Sequence, residues 1–129
     1  MTAGYSGTPL PRKLGVKPDS RVLVLGAPDG FDPGAPFHRR PGRDPYDVVL
    51  LFCSDRATLA RRFETAAARH TTAGMIWVCW PKRSSAVATD LDENVVREHG
   101  LAHGRVDVKV CAIDGTWSGL KFVIRLADR

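Results

Sequence analysis

Residues 48–53, Val-Val-Leu-Leu-Phe-Cys, form an unbroken apolar run that opens on two β-branched residues. The run is too short for a helix, and no alternate side chain could face water. It therefore predicts a strand over Asp47–Cys53 buried on both faces. Two other runs share this character: Val22–Leu25, which leads into the turn-forming Gly26-Ala-Pro-Asp-Gly30, and Met75–Trp80, ended by Pro81. Strands buried on both faces belong to a sheet covered on both sides, so the class is α/β.

The segments between these strands set the connectivity. Five prolines from Pro28 to Pro45 leave no room for a full helix, so only Phe37–Arg40 is expected as a short edge strand. After Asp47–Cys53, the apolar positions Leu59, Phe63 and Ala66/Ala67 repeat at helical spacing and predict a helix from about Asp55 to Arg69. Ser54 or Asp55 is its expected cap, and Thr71–Gly74 its expected stop. A second, short helix is expected to start at Thr89-Asp90, with Asp90 and Glu93 at capping-box spacing and Gly100 at its C-terminal cap. Alternation along Val106–Cys111 and along Trp117–Leu126, around Asp114-Gly115, predicts an antiparallel hairpin with a two-residue turn. Residues 1–20 lack any period and read as an arm with one short turn at Pro11–Leu14, and residues 21–129 as a single α/β domain. The expected architecture is a three-layer Rossmann-like domain, with a short mostly parallel sheet and a C-terminal antiparallel hairpin.

Composition narrows the function classes. No apolar run approaches the roughly 20 residues needed to span a bilayer. The opening Met-Thr-Ala-Gly-Tyr-Ser-Gly lacks a charged start and an apolar core, so no signal peptide and a cytoplasmic location are expected. Cys53, Cys79 and Cys111 are dispersed within apolar runs and read as buried free thiols. The net charge of +5 is concentrated in residues 1–43, which hold seven Lys/Arg against three Asp. Such a front end could meet an anion, an acidic protein surface or a nucleic acid.

Strand, helix, strand and helix followed by a terminal hairpin resembles the second half of a class I S-adenosylmethionine-dependent methyltransferase. The resemblance implies that Gly26–Gly30 is the cofactor loop, and it leaves three departures. Pro28 stands where the middle glycine belongs and removes an N–H. The acid that would hold a ribose is absent, the nearest candidate strand ending in His38-Arg39-Arg40. No Asn-Pro-Pro-Tyr-like catalytic motif follows Cys53. At sequence level the chain is also similar to a small actinobacterial-type family, a domain of unknown function. That similarity is carried by Gly4–Leu10, Leu23–Phe31, Trp80–Lys82, Thr89–Leu91, Val106–Asp114 and Trp117–Leu120.

Three loops are expected to converge at the carboxyl ends of the buried strands, where open α/β sheets bind ligands. They supply Gly26, Ala27, Asp29 and Gly30 from the first, Ser54 from the second, and Trp80, Lys82, Ser84 and Ser85 from the third. Lys82 and the two serines would contact a phosphate or carboxylate. Arg39, Arg40 and Arg43 are weaker candidates for anion or nucleic-acid contact. His99 and His103 have ligand spacing but no cysteine or acid at zinc spacing, so no metal is assigned. No catalytic residue is assigned either. The reading leans to a non-catalytic binding or regulatory module taking a protein partner or small anionic ligand. Its alternatives are a small S-adenosylmethionine- or nucleotide-binding enzyme and a weak nucleic-acid binder.

Overall fold

In the computed structural model, which describes residues 8–129, the apolar runs become the centre of a six-stranded mixed sheet accompanied by three α-helices. In chain order these are α1 (Leu10–Leu14), β1 (Val22–Leu25), β2 (Phe37–His38), β3 (Tyr46–Phe52), α2 (Arg56–Arg69), β4 (His70–Pro81), α3 (Glu93–Ala102), β5 (Val106–Ala112) and β6 (Trp117–Val123), with a 3₁₀ turn at Leu126–Asp128. The strand order is β2-β1-β3-β4-β6-β5. The first four strands are parallel, and β6 runs antiparallel to both β4 and β5. Among the described residues no helix is long and apolar enough to cross a membrane.

Period-two alternation sends successive side chains of each central strand to opposite faces, and both faces are covered. Leu23, Val49, Leu51, Ile76 and Val78 pack under Leu59, Phe63 and Ala66 of α2 and Val96 of α3. Val24, Val48, Leu50, Trp77 and Cys79 pack under Leu14 of α1 with Val16 and Ala35. The described part of the arm, residues 8–20, is therefore seated on the sheet: Trp77 Nε1 donates to Leu14 O at 2.9 Å. The start of the Gly4–Leu10 segment lies outside the described residues.

Several boundaries differ from expectation. The stop expected at Thr71–Gly74 belongs to β4, because α2 ends at Arg69 and the chain extends at once through His70, which pairs with Tyr46. Helix α3 starts later than expected, at Glu93, because its cap is Asp92, whose carboxylate accepts from Val95 N at 2.8 Å. Asp90 instead accepts from Arg56 N at the start of α2. Asp92→Ala is expected to cost about 1 kcal/mol and to fray the first turn of α3, read by urea denaturation and amide exchange at Val95.

Gly100 lies inside α3 against Phe122, and the left-handed residue after the helix is Gly104, φ +77°. The β5–β6 connection is not a two-residue turn. The Asp114 carboxylate accepts from both Thr116 N and Trp117 N, and Ile113 N and Asp114 N both donate to Trp117 O. The alternation of β5 also breaks, because a bulge lies between Asp107 and Lys109. Val108 and Val110 are consequently about half exposed on this edge strand. Asp107 is half-buried and pairs with Arg97 at 2.8 Å. Strand β6 ends at Val123, short of Leu126.

Candidate functional site

Because β1, β3 and β4 are parallel neighbours, Gly26, Ser54 and Lys82 follow them on one edge of the sheet. The chain leaves β1 toward β2 on one side and returns to β3 on the other, so the gap between the carboxyl ends of β1 and β3 is a topological switch point. One side chain occupies it: Arg62 of α2 donates from Nη1 to Phe52 O, the last carbonyl of β3. At the end of β1, Gly26 has φ +72°, and a Cβ there would lie 2.5 Å from Arg62 Cζ. The left-handed backbone favours glycine at this position, and a Cβ there would displace the guanidinium.

Beyond Gly26 the loop closes on itself through Phe31 N, which donates to Pro28 O at 3.1 Å. Gly30, φ +78°, is the third residue of that turn, where type II geometry calls for glycine. Phe31 then packs edge-on against Phe52, with ring centroids 4.9 Å apart. Asp29 is exposed at the tip, and Ala27 is half-buried.

The three loops do not share one cavity. Trp80 and Lys82 line a cavity of about 320 Å³ with Arg83, Leu91, Asp92 and Ser118. An adjoining one of about 340 Å³ shares Lys82, Arg83, Leu91 and Asp92. Gly30 and Arg39 border an open recess on the other side, with Phe31, Ala35 and Phe37. Gly26 and Ser54 line none of these three. The Arg62 side chain lies between the ends of β1 and β3, and the Arg56 N to Asp90 bond ties the start of α2 to the loop before α3.

Within the Lys82 cavity the acids are engaged and the cations are not. Asp90 and Asp92 accept backbone N–H bonds, and Glu93 pairs with Arg97 at 2.5 Å. Among the described residues no carboxylate lies within ion-pair distance of Lys82 or Arg83. Trp80 is only 5% exposed, so it offers the cavity a rim rather than a stacking surface. Ser85 is turned inward on its own loop: its N–H donates to Lys82 O and its hydroxyl accepts from Val87 N. Ser84 is exposed.

Arg39 lies over the Phe37 ring at 5.1 Å, whereas Arg40 and Arg43 are exposed. His38 is held by Tyr46, whose hydroxyl sits 2.5 Å from Nδ1 and also accepts from Gly42 N. His99 and His103 stack, with centroids 4.2 Å apart and planes 22° from parallel, so their lone pairs do not converge. Among the described residues no group of three His, Cys, Asp or Glu could hold a metal ion.

Burial pushes the Cys53 thiol up to about 12, outweighing the opposing pull of Arg62, and the thiol stays neutral at ordinary pH. Among the described residues no histidine or carboxylate is hydrogen-bonded to the side chain of Ser54, Ser84 or Ser85 to act as a base. What the edge offers an anion is the Arg62, Lys82 and Arg83 donors, beside carboxylates held by backbone N–H groups or by Arg97.

Arg62 is the residue that sequence reasoning passed over. It falls three residues after Leu59 and beside Phe63, on the flank of the buried stripe. An arginine at that helical phase is the signal that could have found it. A comparison with protein families finds no family model that matches this chain, and a comparison with curated proteins finds no match.

Proposed function

We propose that this chain is a non-catalytic binding or regulatory module whose carboxyl edge takes a small anionic ligand. The carrying observation is Arg62, whose guanidinium lies across the switch point between the ends of β1 and β3. A half-buried guanidinium in that gap takes the space of a cofactor lying across the strand ends, and it carries the wrong charge for the sulfonium of S-adenosylmethionine. It has donors to spare for a phosphate or carboxylate. Lys82 and Arg83, with no carboxylate partner among the described residues, add further cationic donors along the edge. Membership of the small actinobacterial-type family and a three-layer, Rossmann- and methyltransferase-like architecture are part of this proposal. The parallel β1–β4 core with its terminal antiparallel pair supports the architecture.

Thermal shift tests the reading. Saturating inorganic phosphate or a nucleoside triphosphate is expected to raise Tm by about 5 °C. Arg62→Met, compared with its own ligand-free baseline, is expected to lose most of that rise. S-adenosylmethionine and S-adenosylhomocysteine are expected to give no shift. A rise with these two alone would replace the proposal with the enzyme reading, and no rise with any anion would remove the ligand class. Nucleic-acid association through Arg39, Arg40 and Arg43 would instead give binding that weakens steeply with salt.

A further inference from the structure

We infer that the corner where α2, β4 and α3 meet is a pH-operated latch, closed by Arg105 on neutral His70 and opened when His70 takes a proton. Arg105 sits between α3 and β5 and uses all three of its guanidinium nitrogens. Nε donates to His70 Nε2 at 3.0 Å, Nη1 to His103 O at 3.1 Å and Nη2 to Ala67 O at 3.1 Å. One side chain thereby ties the last turn of α2, the first residue of β4 and the end of α3.

The hydrogen bonds leave His70 one protonation state. Arginine only donates, so Nε2 of His70 must present its lone pair. Nδ1 then carries the proton, given to Thr71 O at 2.7 Å. A proton added at Nε2 removes the acceptor, sets N–H against N–H and places two cations in contact.

Among the described residues, no acid pairs with His70 or Arg105. From α2 come Phe63, the Ala67 carbonyl and Arg69, whose guanidinium is turned to Gly42 O. From β3 comes Tyr46, with its hydroxyl on His38. From α3 come His99 and His103, stacked on each other against Phe63. The nearby carboxylates are committed elsewhere or in solvent: Asp107 and Glu93 pair with Arg97, Asp47 accepts from Arg21 N, and Glu64 and Glu98 are exposed. Arg105 thus meets the His70 ring and the His103 carbonyl, and His99 stacks on the His103 ring.

Electrostatics act in the same direction as the geometry. Burial lowers the pKa of His70 below its ordinary 6.5, Arg105 lowers it further, and the bond to Thr71 O only partly opposes them. Burial lowers His99 as well, with His103 adding to it. The Nε2 of His99 is buried without a partner, so a second proton there would gain no hydrogen bond. A base whose folded pKa is depressed contributes stability that is whole above the unfolded value and is lost as pH falls through the folded one. The latch is therefore closed at pH 7.5 and opens as the medium acidifies below about 6.5.

Amide hydrogen exchange on the full chain, corrected for intrinsic rates, tests the latch. Between pH 7.5 and 5.5, residues 67–71 and 103–106 are expected to gain in exchange relative to β1 and β3, by up to about tenfold, the ceiling set by one pH unit of proton uptake in the open form. His70→Gln keeps an oxygen acceptor for Arg105 Nε and does not titrate, so the gain at residues 67–71 is expected to vanish. An equal gain in wild type and His70→Gln, or a gain spread evenly over the sheet, would overturn the inference. If His70→Gln does not fold, nitrogen NMR of wild-type His70 decides. A neutral Nδ1–H ring titrating below 6.5 supports the latch, and an Nε2–H ring or titration above 6.5 overturns it.

Discussion

Trp77→Ala is expected to lower stability by about 4 kcal/mol, within the usual range for deleting a buried aromatic side chain. Trp77 is fully buried in the centre of β4, on the face covered by α1. Truncation leaves a cavity between sheet and helix, and it orphans Leu14 O, to which the indole N–H donates across 63 residues of sequence. For a chain of this length the Tm should fall by about 15 °C. Trp77→Phe separates the two contributions. It keeps most of the apolar volume and removes the donor, so a loss of about 1–2 kcal/mol is expected. Exchange should then rise selectively over residues 10–16. Urea denaturation measures both variants, and a Trp77→Ala loss below 1 kcal/mol would mean that α1 is not part of the core.

Gly100→Ala should destabilise by about 3 kcal/mol, although alanine is the better helix former by about 1 kcal/mol. The sign is what makes the experiment informative. A Cβ at Gly100 would lie 2.5 Å from Phe122 Cδ1 and 2.6 Å from Cζ, inside any real contact. Phe122 is fully buried and has no free direction, since its ring meets Phe63 edge-on at 5.7 Å. Helix α3 would have to lift from β6, and Val96 would lose its packing with it. A stabilised variant in urea denaturation would show that α3 does not sit this close to the sheet.

Gly100 also illustrates why part of the fold could not be read in advance. A glycine near the end of a helical pattern has two common causes, a left-handed cap and a close approach, and both leave the same letter in the sequence. Only the position of Phe122, more than twenty residues on, separates them. Asp90 and Asp92 pose the same problem, since either could cap a helix and the choice follows from Arg56 N claiming Asp90. The edge strand β5 was legible as a strand, but its bulge was not. A one-residue shift of phase there depends on the Lys109–Lys121 and Asp107–Phe122 register and on Arg97 holding Asp107.

The candidate edge divides in the same manner. Gly26, Ser54 and Lys82 were placed on one side of the sheet by the apolar runs that precede them, and parallel pairing puts them there. That they share no cavity goes with Arg62 and the α2–Asp90 tie, which join residues 10 and 34 positions apart. The histidine corner was wholly hidden. His70, His103 and Arg105 carry no recognisable spacing, and the ligand spacing of His99 and His103, with no cysteine or acid at zinc spacing, does not point to Arg105.

What the sequence by itself determined is the α/β class, the three buried parallel strands, helix α2 and the edge at which their loops emerge. Those features follow from apolar runs and helical period, which are local and need no knowledge of partners. The tertiary structure alone decided which glycine caps and which yields to a ring, which aspartate starts α3, where Arg62 sits, and how one arginine joins three elements through a neutral histidine. Each of these is a contact between residues distant in the chain, fixed by close packing and by the requirement that buried donors find acceptors.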